Sequence, residues 1–192
     1  MSFSVAAAAL AEALCDDPFY QAVSQSAQDG AARQLMLSRY FAAALDEARV
    51  VGQVEVAGQD GAALWLLPSD PKLEAAETAR RELALADTIG PAGLATYRAV
   101  CASMAAQVPA GLAGAWYLSI LGVRPAARGA GLAQSLLAPT LAAADQAGAV
   151  TWLETFNPLS LPFYQRLGFV TVHPLHEPVM GRDYWLLVRP AP

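Results

Sequence analysis

Trp116-Tyr117-Leu118-Ser119-Ile120-Leu121-Gly122-Val123 is an apolar run that ends at Arg124-Pro125, and Arg128-Gly129-Ala130-Gly131-Leu132-Ala133 follows two alanines later. The run reads as a strand, and the glycine-bearing turn reads as the start of a helix. Such a turn offers free backbone amides to a phosphate, and glycines remove side chains where the phosphate must approach. Leu132 and Leu136 then anchor the helix to the sheet. Gly-x-Gly alone is weak, because nucleotide folds use it and so does close helix–strand packing. A dinucleotide fingerprint needs a third glycine where Gln134 stands. The Gly-Lys-Ser/Thr of a P-loop is absent. A second strand is expected over 150–156, followed by Asn157-Pro158 and by Phe163-Tyr164-Gln165-Arg166-Leu167-Gly168-Phe169.

Working outward, 4–15 reads as an alanine-rich first helix ending near Asp16-Asp17-Pro18. A short helix is expected from 19 to about 27, and Asp29-Gly30 separates it from a longer one over 31–48. Residues 53–57 and 62–67 read as a hairpin, its second strand apolar throughout and so buried on both faces. From 72 to 107 two or three helices are expected, interrupted at Gly90-Pro91 and Gly93. The chain closes with strands at 170–172 and 184–188, separated by a Pro-rich loop from 173 to 182. Alternating strands and helices make this an α/β fold with a mixed sheet, in one domain spanning 1–192 with a helical insert at about 72–107.

The 192 residues suffice for a sizeable core, and 55% hydrophobic content argues against disorder. A net charge of −5 argues against a nucleic-acid partner. Arg124 and Arg128 nevertheless sit together where an anion can bind. The opening apolar run lacks a preceding Lys or Arg, and no run is long enough to span a bilayer. A cytoplasmic protein without a membrane partner is expected, with Cys15 and Cys101 a reduced pair, although sequence alone leaves a disulfide open.

The series from 116 to 169 resembles the acyl-CoA-binding half of the GNAT-type N-acetyltransferases. Arg128-x-x-Gly131-x-Ala133 fits that superfamily's phosphate motif, and Asn157 with Phe163-Tyr164 and Leu167-Gly168-Phe169 fits its second signature. Pro162 through Phe169, Asp16-Asp17-Pro18-Phe19, Trp65 and Leu153-Glu154-Thr155 are similar to the puromycin N-acetyltransferase-like group. The resemblance implies a GNAT-like, mostly antiparallel central sheet flanked by helices, with a splayed central strand. It implies acetyl-CoA as co-substrate, no metal, and a small-molecule primary amine as acceptor. A peptide amine and a non-catalytic acyl-CoA-binding module are the alternatives. A monomer or a homodimer is expected. Two departures stand out: the chain opens on a helix where family members begin with a strand, leaving at most a vestige at residues 2–5. Ala115 also replaces a polar residue such as His before the key strand.

On this reading the turn Arg128, Gly129, Ala130, Gly131, Leu132 and Ala133 holds the pyrophosphate. The pantetheine arm pairs with Leu121, Gly122 and Val123, Gly122 marking a bulge or splay in the strand. Amides near 121–123 serve the oxyanion. Tyr164 is the candidate acid toward the CoA sulfur, or else a core tyrosine beside Phe163 and Phe169. Glu154 is a base for the ammonium, or a strand-end carboxylate bonded to backbone. Asn157 contacts the pantetheine arm, caps the next helix, or does both. Ser119 lacks a histidine partner, so direct transfer without an acyl-enzyme is expected.

His173-Pro174-Leu175-His176-Glu177 is not the helical metal-binding arrangement, and a loop over the acceptor pocket is the better reading. Glu55, Asp60 and Glu74 read as solvated. Trp65, Trp116, Trp152 and Trp185 fall on expected strands and read mostly as core, with Trp65 a candidate wall for an aromatic or flat amine.

Overall fold

The structure is a computed structural model that describes residues 3–192, with side chains described except at 3 and 171–173. Helix α1 (Phe3–Leu14) opens it, and α2 (Pro18–Val23) follows. Residue 2 lies outside the described residues, and residues 3–5 are helical, so they supply no strand. Asp17 accepts a hydrogen bond from the Phe19 amide and starts α2, with Pro18 in the first helical position where its missing N–H costs nothing. Asp29 does the same for α3 (Gly30–Val51) through the Ala32 amide.

Strands β1 (Gly52–Val56) and β2 (Gly61–Leu66) form the expected hairpin. Helix α4 (Pro71–Ala105) occupies the insert and breaks at Gly90, whose φ of 69° interrupts the helical backbone just before Pro91. Strand β3 (Trp116–Val123) leads through a 3-10 turn (Pro125–Ala127) to α5 (Leu132–Ala147). Then come β4 (Thr151–Thr155), α6 (Leu161–Arg166), β5 (Val170–Glu177) and β6 (Arg182–Arg189). The six strands lie in the order β1-β2-β3-β4-β6-β5. Only β3 and β4 run parallel, so the sheet is mixed and mostly antiparallel.

The expected loop over 173–182 is corrected: the chain stays in strand to Glu177 and turns only over 178–181. Pro174 fits because β5 is an edge strand, and a register shift between Thr171 and His173 already breaks the ladder beside it. The buried Glu177 carboxylate accepts the Val179 and Met180 amides and fixes the turn.

Two cores flank the sheet. One joins α1, α2, α3 and α4 to residues such as Ala62, Leu64 and Ile120. The other joins α5 and α6 to Ala63, Trp65, Leu118, Leu153 and Leu187. Residues of β2 alternate between them as a pleated strand must. Strand β3 does not keep that alternation. Leu64 pairs with Ile120 and Trp65 with Leu118, so Ser119 is an extra residue, and beyond it the strand's faces are exchanged. The bulge therefore lies at Ser119 rather than Gly122. Gly122 answers a different need: a Cβ there would stand 2.7 Å from Leu10 Cδ2 and 3.2 Å from Ala13 Cβ, because α1 packs directly on the strand.

Candidate active site

Strands β3 and β4 pair only at Trp116↔Thr151, Tyr117↔Trp152 and Leu118↔Leu153. From the Ser119 bulge onward β3 stays with β2, while β4 continues along β6 through Glu154↔Leu186 and Thr155↔Trp185. The two strands separate, and a cavity of about 440 Å³ occupies the gap. Its walls include Tyr20, Tyr40 and Ile120 from one core and Leu118, Leu153 and Tyr164 from the other. The cavity is thus lined from both faces of the sheet at the gap between β3 and β4.

Glu154 is the first residue of β4 past the paired stretch and lines this cavity. Its Oε2 accepts a hydrogen bond from the Tyr117 hydroxyl at 3.1 Å, and its Oε1 is buried without a partner among the described residues. Burial pushes the carboxyl up to about 7, against the hydrogen bond from Tyr117, which lowers it. The strand-end carboxylate bonded to backbone is therefore not what is found. A carboxyl that titrates near neutrality and has a free oxygen can exchange a proton with a bound amine.

Tyr164 projects from α6 into the same cavity, with its ring edge-on to Phe163 and Phe169. Its hydroxyl has no hydrogen-bond partner among the described residues, and burial raises its pKa well above the ordinary phenol value, so it stays protonated at neutral pH. Tyr164 is thus both packed among core aromatics and open to the cavity.

The far wall is aromatic and comes from the helices. Phe19, Tyr20, Tyr40 and Tyr97 contact one another edge-on. Among them lies the Arg81 guanidinium, 2.6 Å from Glu47 and 3.0 Å from the Tyr40 hydroxyl, over the rings of Tyr40 and Tyr97. Asp17 contributes a second cavity-lining carboxyl, pushed up to about 6 by burial against the amides of Phe19 and Tyr20. The Cys101 thiol is held at about 11 by burial, Arg81 opposing the shift. Both cysteines are free.

Of the residues expected to hold a cofactor, only Leu121 and Tyr164 line the cavity. Gly122 and Val123 continue β3 beyond it, on the length that β4 leaves unpaired. The turn at 128–133 follows. Gly129 and Gly131 have φ of 85° and 76°, which only glycine adopts cheaply. A Cβ at either would meet nothing within 4 Å, so the backbone there is open to an approaching group. The first hydrogen bond of α5 is Ser135 N–H to Gly131 O. The amides of Leu132, Ala133 and Gln134 precede it, without an intrahelical carbonyl to bond. Free amides at a helix start are donors of the kind a pyrophosphate group accepts from.

Arg124 and Arg128 are each held by other groups. Arg124 pairs with Asp60 at 2.8 Å, which also means that Asp60 is not simply solvated. Arg128 donates to the carbonyls of Val123 and Ala13, and so ties the turn to β3 and α1. Asn157 caps a 3-10 turn (Pro158–Ser160) through the Leu159 amide, and its side chain is outside the cavity. Trp65 is fully buried in the second core and lines no part of the cavity; Trp152 does, stacked 4.2 Å from Tyr117. The expected loop over the acceptor pocket is likewise absent from its walls, since 173–177 is edge strand. The side chain of His173 lies outside the described residues. Among those described, no group of His, Cys, Asp and Glu side chains converges on a metal-sized site, and no helix is long and apolar enough to cross a membrane.

Sequence reasoning passed over Tyr117, Arg81 and Asp17. Tyr117 was hidden inside an apolar run. Arg81 sits in a charged helical segment with no local signature. Asp17 carried a visible signal, an acid directly before Pro-Phe, but that signal says helix start rather than pocket.

A mixed sheet parted at one parallel pair, with a glycine turn and helix just beyond, is the arrangement that the resemblance to GNAT-type N-acetyltransferases implies. Residues 86–171 match the family model described as "Acetyltransferase (GNAT) domain". That match spans a little under half of the chain and supports an acetyl-transferring enzyme. In overall fold it is similar to the structure of "histone acetyltransferase HPA2 and related acetyltransferase" from Corynebacterium glutamicum, with a TM-score of 0.70, 22% identity, and coverage of 99% of this chain and 91% of that one. It is also similar to arylalkylamine N-acetyltransferase 2 from Aedes aegypti, with a TM-score of 0.61, 15% identity, and coverage of 99% and 94%. GNAT acetyltransferases use acetyl-CoA and act on an amine acceptor.

Proposed function

We propose that this chain transfers the acetyl group of acetyl-CoA directly to a small-molecule primary amine, as one domain spanning 1–192. The observation that carries this reading is Glu154, a buried carboxyl near neutrality with an oxygen unpartnered among the described residues, in a cavity lined from both faces of the sheet. The acyl donor enters from the α5 side. The turn at 128–133 takes its pyrophosphate, and its arm lies along Leu121, Gly122 and Val123, with Asn157 at the outer end. The amine enters from the α4 side, where aromatic rings favour a flat apolar body and the carboxyls of Glu154 and Asp17 favour a cation.

Glu154 accepts a proton from the ammonium. The freed nitrogen attacks the thioester carbonyl, the new C–N bond replaces the C–S bond, the Tyr164 hydroxyl gives its proton to the departing sulfur, and the surplus proton on the new amide nitrogen restores the Tyr164 hydroxyl. Kinship to the puromycin N-acetyltransferase-like group rests on the sequence motifs alone. The resemblance to a small-amine enzyme suits a cavity closed by α4 better than it suits an open peptide groove.

The test is release of CoA thiol from acetyl-CoA with a panel of arylalkyl, alkyl and peptide amines. Release with a small arylalkylamine supports the reading. Acetyl-CoA binding without release by any amine replaces it with a sensor module, and release only with peptides moves the acceptor class.

A further inference from the structure

The β3–β4 gap places Tyr117 and Glu154 on either side of the point where the strands part. Tyr117 lies on the paired side, opposite Trp152 in the register, and its ring stacks on that indole at 4.2 Å with 26° between planes. Glu154 lies one residue beyond the last pair. The Tyr117 hydroxyl spans the gap to Oε2 at 3.1 Å. Oε1 is buried and has no partner among the described residues.

We propose that Tyr117 is a positioning residue: its O–H holds Oε2 of Glu154, which leaves Oε1 as the oxygen that receives the proton of the incoming amine. This rests on Glu154 acting as the base. The stack on Trp152 matters because a phenol free to rotate would not hold the carboxylate in one orientation. The hydrogen bond also favours the carboxylate over the acid, so it keeps the base available in a cavity whose burial works the other way.

The other groups near Glu154 do not substitute for this contact. Tyr184 on β6 has a buried hydroxyl with no partner, and nearby Glu154 raises its pKa after burial does. Cys101 on α4 is a protonated thiol at neutral pH. Arg81 on α4 turns Nη1 to Glu47 and Nη2 to Tyr40, and makes no hydrogen bond to Glu154. Tyr117 supplies the one hydrogen bond that Glu154 receives among the described residues.

Tyr117→Phe keeps the ring and its stack and removes only the O–H. The acidic limb of kcat/KM is expected to move to higher pH by roughly one unit, while KM for acetyl-CoA is unchanged. Glu154 is read directly by the carboxylic C=O infrared band missing in Glu154→Gln, and its midpoint should move by the same amount. That band reports even if no amine is turned over, so a failed function and a failed positioning role give different results. An unmoved band, or lost activity with an unmoved limb, overturns the proposal. A second measurement leaves the aromatic stack intact: in Glu154→Gln the Tyr117 phenol, assigned by difference from the Tyr117→Phe double variant, should ionise at lower pH by near-ultraviolet titration. An unchanged phenol midpoint also overturns it.

Discussion

Leu118 and Ile120 stand two residues apart on β3 yet pack into opposite cores, Leu118 into the one built on α5 and Ile120 into the one built on α1 to α4. A regular strand would place them on one face. The extra residue between them, Ser119, exchanges the faces, and it does so where β4 leaves the strand. The exchange falls where Tyr117 and Glu154 line the cavity, and the following length of β3 has no parallel neighbour.

Glu154→Gln should make the protein more stable at alkaline pH. The folded carboxyl titrates at about 7, above its ordinary 4.5, so the folded state holds the proton more tightly. The stability linked to that proton is complete below about 4.5 and is lost as pH rises through about 7. Urea unfolding should find the variant equal to the parent near pH 4 and more stable by about 1–3 kcal/mol at pH 8. Equal stabilities at pH 8 would show that the carboxyl is not perturbed.

Tyr164→Phe should reduce kcat by about 100-fold or more while the Kd for acetyl-CoA changes less than about twofold. No internal hydrogen bond of the hydroxyl is lost, so Tm should hold. Undiminished turnover with the best amine removes Tyr164 from the mechanism.

Arg81→Leu should cost about 3–5 kcal/mol, because it strands the Glu47 carboxylate between α3 and α4. Tm should fall by about 10 °C. Adding Glu47→Met should recover most of the loss; no recovery would mean that packing with Tyr40 and Tyr97, rather than charge, sets the cost.

Gly131→Val forces a branched side chain into a backbone with φ of 76° at the start of α5. Calorimetry should show acetyl-CoA affinity weakened about tenfold or more, with α-helical circular dichroism retained. Unchanged affinity would place the pyrophosphate elsewhere.

The order of elements was legible because its signals are local. Gly90-Pro91 announces the break in α4, and Asp16-Asp17-Pro18 and Asp29-Gly30 mark where one helix gives way to the next. The strand through Pro174 was misread as loop because tolerance of proline depends on lying at the sheet's edge, a tertiary fact. The Ser119 bulge was illegible for a related reason: an all-apolar run carries no alternation from which a change of face can be seen. Glu154 and Tyr164 were nameable from motif position. The Tyr117 contact and the Arg81–Glu47 pair join residues 37 and 34 positions apart, and only folding brings them together.

The most direct measurement is the pH dependence of amine-driven thiol release from acetyl-CoA, with 2-phenylethylamine as acceptor, for the parent and for Glu154→Gln. The parent's kcat/KM should rise about tenfold per pH unit and level off above a group near 7, and the variant should be slower by about 100-fold or more and lack that inflection. A variant with the parent's rate and the parent's profile would contradict the account.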